Sequence, residues 1–84
     1  GEEFLLALSD VSPEQALSVI DRIREDFSML PHPHPSGTLR ATFSAGIASY
    51  PVISTADGLT KAADGALLQA KRLGRNRIEK AVPQ

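Results

Sequence analysis

A small α/β (α+β) layer domain, built strand–helix–strand–helix–strand with the helices packed on a sheet, is the fold class this sequence predicts. Three observations predict it. Phe4–Leu8 is apolar at every position, as a strand covered on both faces would be. Two later segments repeat apolar residues at three- and four-residue steps, the mark of helices with one buried stripe. Thr38–Tyr50 alternates apolar and smaller or polar residues, the period of a strand. With 84 residues there is material for one domain and no internal repeat.

Taken in order, Ser9-Asp10-Val11 leaves the first strand and Ser12-Pro13-Glu14-Gln15 opens a helix. Ser12 can cap it, Pro13 suits the first turn because its missing N–H costs nothing there, and Gln15 completes a capping box. Ala16, Leu17, Val19, Ile20, Ile23 and Phe27 form its expected buried stripe, and the helix should end near Met29. Pro31-His32-Pro33-His34-Pro35-Ser36-Gly37 reads as an extended, polyproline-like loop. Its two histidines lack a third ligand of suitable type, so a solvated loop is the expected role rather than a metal site. In the strand Thr38–Tyr50, Leu39, Ala41, Phe43, Ala45 and Ile47 make the more apolar face. Gly46 within it implies a bulge or the close approach of another backbone or ligand. A second helix from Thr55 or Ala56 to Leu73 buries Leu59, Ala62, Ala63, Ala66, Leu67 and Ala70 and stops at Gly74. Asn76–Val82 is a last short strand.

Composition excludes several function classes. A net charge of −1 gives no electrostatic case for nucleic acid or a membrane surface. There is no cysteine for disulfides or thiolate metal sites. No apolar run approaches the roughly 20 residues of a spanning helix. The first residues are acidic, unlike a signal peptide, and the chain opens in mid-motif, so a piece of a longer protein is expected.

Chemistry concentrates at the two ends. Gly1-Glu2-Glu3-Phe4 sets two adjacent carboxylates against a strand that wants burial, so they are either solvated at a turn or facing a cation. Lys71, Arg72, Arg75 and Arg77 crowd the end of the second helix, where the macrodipole alone already favours cations. Lys71 and Arg75 are one turn apart, and a lysine point charge beside an arginine fork suits a polyphosphate. Acids and cations together suggest a metal–nucleotide site, the metal bridging carboxylate and phosphates.

Three segments then resemble one family in the same series. Gly1-Glu2-Glu3-Phe4 is similar to the last four residues of the GG(D/E)EF signature of diguanylate cyclases. Thr42-Phe43-Ser44-Ala45-Gly46-Ile47-Ala48 resembles that family's T-V-S-I-G-V-A strand. Ala62-Ala63-Asp64-Gly65-Ala66-Leu67, continuing through Ala70-Lys71-Arg72-Leu73-Gly74-Arg75-Asn76-Arg77, resembles its A-A-D-x-A-L-Y-x-A-K-x-x-G-R-N-x segment. Residues 1–84 then correspond to the C-terminal portion of a single GGDEF domain.

The resemblance implies a partial nucleotidyl-cyclase or ferredoxin-like palm, with helices on a mainly antiparallel sheet whose first central strand is missing. That strand is expected between the strand beginning at Phe4 and the one near Asn76, so the isolated chain should expose an apolar edge that pairs with another chain. The implied activity is condensation of two GTP into cyclic di-GMP for bacterial signalling, using Mg2+ or Mn2+, by a cytoplasmic homodimer of GGDEF domains fused to a sensor or receiver domain. The parent protein could equally be membrane-anchored, with no direct membrane contact from this segment. Glu2 would be the metal ligand and a base for the 3′-hydroxyl, Glu3 would support the catalytic surface, Gly1 would let the backbone approach substrate, and Lys71 and Arg75 would hold the GTP phosphates. The family's upstream aspartate ligand, its guanine-reading Asn and Asp, the first glycine of the signature and the R-x-x-D inhibition motif have no counterpart here, so the chain alone is expected to be inactive. Leu68 stands where the family usually has Tyr, and Ala45 where it has a larger aliphatic. The alternative is a degenerate GGDEF-like domain that binds GTP or a partner protein and regulates a neighbouring domain without catalysis.

Overall fold

The computed structural model of the chain describes residues 2–50 and 53–81. Its elements are β1 (Glu2–Ser9), α1 (Pro13–Met29), β2 (Pro31–His34), β3 (Gly37–Arg40), β4 (Phe43–Tyr50), α2 (Ala56–Arg72) and β5 (Ile78–Lys80). The far end of the last strand as expected from sequence, Val82, lies outside the described residues. The layered α/β class is the one expected, but the strand direction is not. The three-stranded sheet has the order β1-β4-β5 with both pairs parallel, from Glu2↔Phe43 to Ser9↔Tyr50 and from Ala45↔Ile78 to Ile47↔Lys80. Each connection contains a helix that carries the chain back to its starting end, and a helical crossover joins parallel strands. Nor is the place between the first and last strands empty: β4 fills it.

β4 is the axis of the molecule, with every residue from Phe43 to Ser49 buried. Its alternation separates two layers. Phe43, Ala45 and Ile47 face α1, where Leu17, Ile20 and Phe27 pack on them and on Ile78. Gly46 faces α2, and a side chain there would run into the backbone of Ala63 and Leu67. The helices therefore cover opposite faces, and the buried stripe Ala63, Ala66, Leu67 and Ala70 is small enough for α2 to sit directly on the strand. Ser12 Oγ accepts from the Gln15 amide at 3.1 Å at the head of α1, and Thr55 Oγ1 from the Gly58 amide at 3.0 Å at the head of α2.

Two expectations fail. Phe4, on the α1 side of β1, and Leu5, on the α2 side, are each 46% exposed rather than covered on both faces, and Val19 (60%) and Ile23 (53%) lie outside the buried stripe of α1. α1 packs over β4 and β5 and covers the same face of β1 only in part, leaving its Phe4 end open. A groove of about 340 Å³, lined by Phe4, Leu6, Ile20, Ile23, Phe27 and Phe43, opens between them. β1 is thus an edge strand.

The segment read as a loop is instead half of a hairpin. β2 pairs antiparallel with β3, from Pro31↔Arg40 to His34↔Gly37, and Gly37 supplies the left-handed turn at φ 131°. Prolines cannot donate, so alternation with histidine puts both missing N–H groups on the edge that needs none. The long strand expected from Thr38 divides at Ala41-Thr42, where the chain exchanges β2 for β1: the Glu2 amide donates to the Thr42 carbonyl at 3.1 Å.

One ion pair fastens the first turn of α1 to β5. Lys80 Nζ lies 2.8 Å from Glu14 Oε1, and this hydrogen bond, with help from the Glu14 amide, holds the carboxyl below the ordinary glutamate range. A depressed carboxyl favours the folded chain at neutral pH, and that contribution disappears as pH falls below the ordinary glutamate range and through the lowered folded value. Lys80→Ala is expected to return the Glu14 titration, followed by side-chain carbonyl NMR, to the ordinary range and to leave stability above pH 6 nearly unchanged. An unmoved titration would remove Lys80 as the cause.

Candidate functional site

The N-terminal ends of the three parallel strands and the C-terminal end of α2 meet at one end of the sheet. Register brings Glu3 beside Ser44, and β5 starts beside Ala45. α2 ends in a double closure: the Arg75 amide donates to the Ala70 carbonyl at 2.9 Å and the Gly74 amide to the Lys71 carbonyl at 3.4 Å, with Gly74 at φ 116°. This is the Schellman arrangement that glycine after a helix permits. It turns the chain back, so that Lys71 in the last turn and Arg75 beyond it stand on the same side.

Both cations meet Glu3. Lys71 Nζ is 3.2 Å from Glu3 Oε1, and Arg75 Nη1 is 3.7 Å from Glu3 Oε2. One carboxylate thus holds two cations with one oxygen each. All three side chains are partly exposed, where such pairs stabilise by well under about 1 kcal/mol. The cluster is therefore open to exchange: an anion with several oxygens could take Glu3's place at a small cost. Arg72 and Arg77, which the sequence grouped with these cations, do not pair with Glu3; Arg77 lies 3.9 Å from Glu79.

Glu2 does not join this cluster. Adjacent strand residues point to opposite faces, so with Glu3 on the α2 side Glu2 lies on the α1 side, exposed. Gly1 lies outside the described residues. The candidate residues thus fall into a cation–carboxylate cluster and one separate acid. Neither histidine is drawn in: the His32 ring lies tilted against Phe27, centroids 5.4 Å apart, and His34 Nδ1 pairs with Ser36 Oγ at 2.8 Å.

Magnesium, or manganese in its place, is held by oxygen ligands, usually one or two carboxylates with phosphates and water. Among the described residues no group of three or more His, Asp or Glu could hold a metal ion. With Glu2 and Glu3 on opposite faces and Glu3 engaged by two cations, these residues do not by themselves make a divalent-metal site.

Four residues behind the cluster received no role in the sequence reading. The Asn76 amide donates to Ser44 Oγ at 3.0 Å, Arg24 Nη1 donates to Asn76 Oδ1 at 2.8 Å, and Arg24 Nε donates to Asp21 Oδ1 at 2.7 Å. An asparagine following Gly-Arg was the one available signal, because Asn tolerates the left-handed backbone that a turn can require. Its partners are 32 and 52 residues away and left no local trace.

This geometry argues against a doubly wound nucleotide fold. Such folds bind phosphate at the carboxyl ends of the strands and at a helix N-terminus. Here the cations gather at the amino ends and at a helix C-terminus, where side chains must supply all the positive charge. The apolar groove is no rival site, since its lining carries no polar side chain. No described helix is long and apolar enough to cross a membrane.

Comparison with known proteins gives one consistent family. The family described as "Diguanylate cyclase, GGDEF domain" matches residues 1–77. The chain is 33% identical over 79 residues to diguanylate cyclase A of Treponema denticola, covering 93% of this chain and 21% of that protein. It is 35% identical over 81 residues to diguanylate cyclase DgcP of Pseudomonas aeruginosa, covering 96% and 12%. With diguanylate cyclase DgcM of Escherichia coli it shares 38% identity over 78 residues, covering 93% and 18%. The chain thus spans about a fifth or less of the length of these relatives. No solved structure matches it.

Proposed function

The chain belongs to the diguanylate cyclase GGDEF-domain family, and from that premise we propose that residues 1–84 are the C-terminal portion of a domain that condenses two GTP into cyclic di-GMP. In that reaction each 3′-hydroxyl oxygen attacks the α-phosphorus of the other GTP, pyrophosphate leaves, and the hydroxyl proton passes to a base. The convergence of Lys71 and Arg75 on Glu3 carries the proposal. Two cations brought together by the last turn of α2 and the turn after it, at present sharing one carboxylate, suit the charged oxygens of a triphosphate. In this reading Lys71 and Arg75 bind the phosphates, Glu3 holds both cations aligned until they arrive, and Gly1 admits the nucleotide. Glu2, free of the cluster, faces the attacking hydroxyl. The divalent cation that such cyclases use would take Glu2 as one ligand, with the others coming from outside this chain. Two such domains, each carrying GTP, would face one another as a homodimer in the cytoplasm, under control of a fused sensor or receiver domain.

The test is chromatographic detection of cyclic di-GMP from GTP and magnesium, with the chain in its natural full-length context and with residues 1–84 alone. Product from the first and none from the second is the expected result. GTP binding without product in the full-length context would replace catalysis by a regulatory nucleotide-binding role. Product from residues 1–84 alone would mean that the carboxylates on this chain suffice.

A further inference from the structure

We propose that Asn76, held by Ser44 and Arg24, is a positioning residue that aims Arg75 at its anion. The inference rests on the reading of Lys71 and Arg75 as phosphate-binding cations. Its starting point is backbone strain: Gly74, Arg75 and Asn76 have φ of 116°, 62° and 48°, three successive residues in the left-handed region, two of which are not glycine. Such residues are strained and persist only where their surroundings over-determine them. On one side the Schellman closure of α2 fixes the Arg75 amide. On the other, Asn76 is gripped twice, its amide by the buried Ser44 hydroxyl and its side-chain oxygen by Arg24.

The two grips come from different layers. Ser44 sits on β4 beside Glu3, on the side of α2, whereas Arg24 comes from α1 across the sheet and is itself braced by Asp21. Asn76 therefore joins both layers at the end of the sheet where the cations converge. Arg75 is suspended between two anchored amides, so its Cα–Cβ direction is set by the turn rather than chosen by a flexible loop. A side chain launched from a fixed direction searches less space for its partner, which is where preorganisation gains affinity. Lys71, inside the helix, needs no such device.

Substitutions separate the bond from the strain. Asn76→Gly accepts the left-handed backbone and removes the oxygen that Arg24 grips. Asn76→Asp keeps both a tolerance for that backbone and an oxygen for Arg24. The measurement is the affinity for inorganic tripolyphosphate by calorimetry, in the full-length context, with folded fraction checked by circular dichroism. Arg75→Ala is the reference. Asn76→Gly should weaken binding about three- to tenfold, the net worth of an ordinary intramolecular hydrogen bond. Asn76→Asp should stay within about twofold of the parent, and the double variant Asn76→Gly/Arg75→Ala should bind no more weakly than Arg75→Ala. A purely structural role would lower the melting temperature and leave the affinity of the folded fraction unchanged, and that result overturns the proposal. Additive losses in the double variant also overturn it. If Arg75→Ala itself binds tripolyphosphate as the parent does, the phosphate reading fails first and the positioning proposal with it.

Discussion

Gly46→Val is expected to abolish the cooperative unfolding transition of the chain. Gly46 lies in the middle of the buried central strand, and a Cβ built there meets the carbonyl of Ala63 and the amide of Leu67, both in α2. These are backbone atoms of a helix, so no rotamer change can clear them and α2 must lift off the sheet as a unit. Lifting it separates Ala63, Ala66, Leu67 and Ala70, all now buried, from the strand they cover. Overpacking a core typically costs 1–3 kcal/mol where side chains can yield; against helix backbone the cost should exceed about 3 kcal/mol. A chain of this length has a total stability of only about 4–13 kcal/mol, and its partly bare β1 places it low in that range. Urea titration followed by circular dichroism should show a broad, early transition with dye-binding apolar surface. Gly65→Ala is the internal contrast: nothing lies within 4 Å of a Cβ there, and alanine should raise stability by about 0.5–1 kcal/mol. An unchanged midpoint for Gly46→Ala would mean that strand and helix do not touch backbone to backbone.

Glu2→Ala is expected to lower cyclic di-GMP synthesis by at least about a hundredfold, the low end of what a positioned proton acceptor contributes. The fold should not notice. Glu2 is exposed, its carboxylate forms no ion pair among the described residues, and its amide bond to Thr42 belongs to the backbone. A surface change of this kind alters stability by no more than about 0.5 kcal/mol. Glu3→Ala offers a different failure, because it leaves Lys71 and Arg75 without their shared carboxylate. Activity retained by Glu2→Ala, with product still formed from GTP, would keep the reaction and remove Glu2 from it.

Much of this was written locally. Helix starts were legible because a hydroxyl three residues before a free amide is a short-range event, as Ser12 and Thr55 show. Gly46 was legible as a place of close approach, and Gly74 as a helix stop. Strand direction was not: alternation along Phe43–Tyr50 reads the same for a parallel or an antiparallel partner. Val19 and Ile23 show a second limit, since an apolar stripe reveals what a helix could bury, not what its neighbours cover. The His-Pro alternation of β2 resembles a solvated extended segment until Gly37–Arg40 folds back on it. At the site, the nearness of Lys71 and Arg75 was plain, though Arg75 reaches Lys71 through the turn after α2 rather than along the helix, and that the two meet Glu3 rather than Glu2 depends on register, which spacing does not show. The Arg24–Asn76–Ser44 chain joins three distant segments and was invisible.

The parallel pairing of β1 also sets an order of events during synthesis. Among the described residues β1 pairs with β4 alone, from Glu2↔Phe43 to Ser9↔Tyr50. On a ribosome adding roughly 5–20 residues per second, Phe4–Leu8 emerges seconds before the strand that will hold it. In that interval α1 and the β2–β3 hairpin can form from local contacts, whereas β1 must wait for a loop of about forty residues to close. The slow step of folding should therefore be the capture of β1 by β4. Until then the growing chain carries an apolar segment that β4 does not yet cover, the kind of surface that chaperones bind and that crowded nascent chains share.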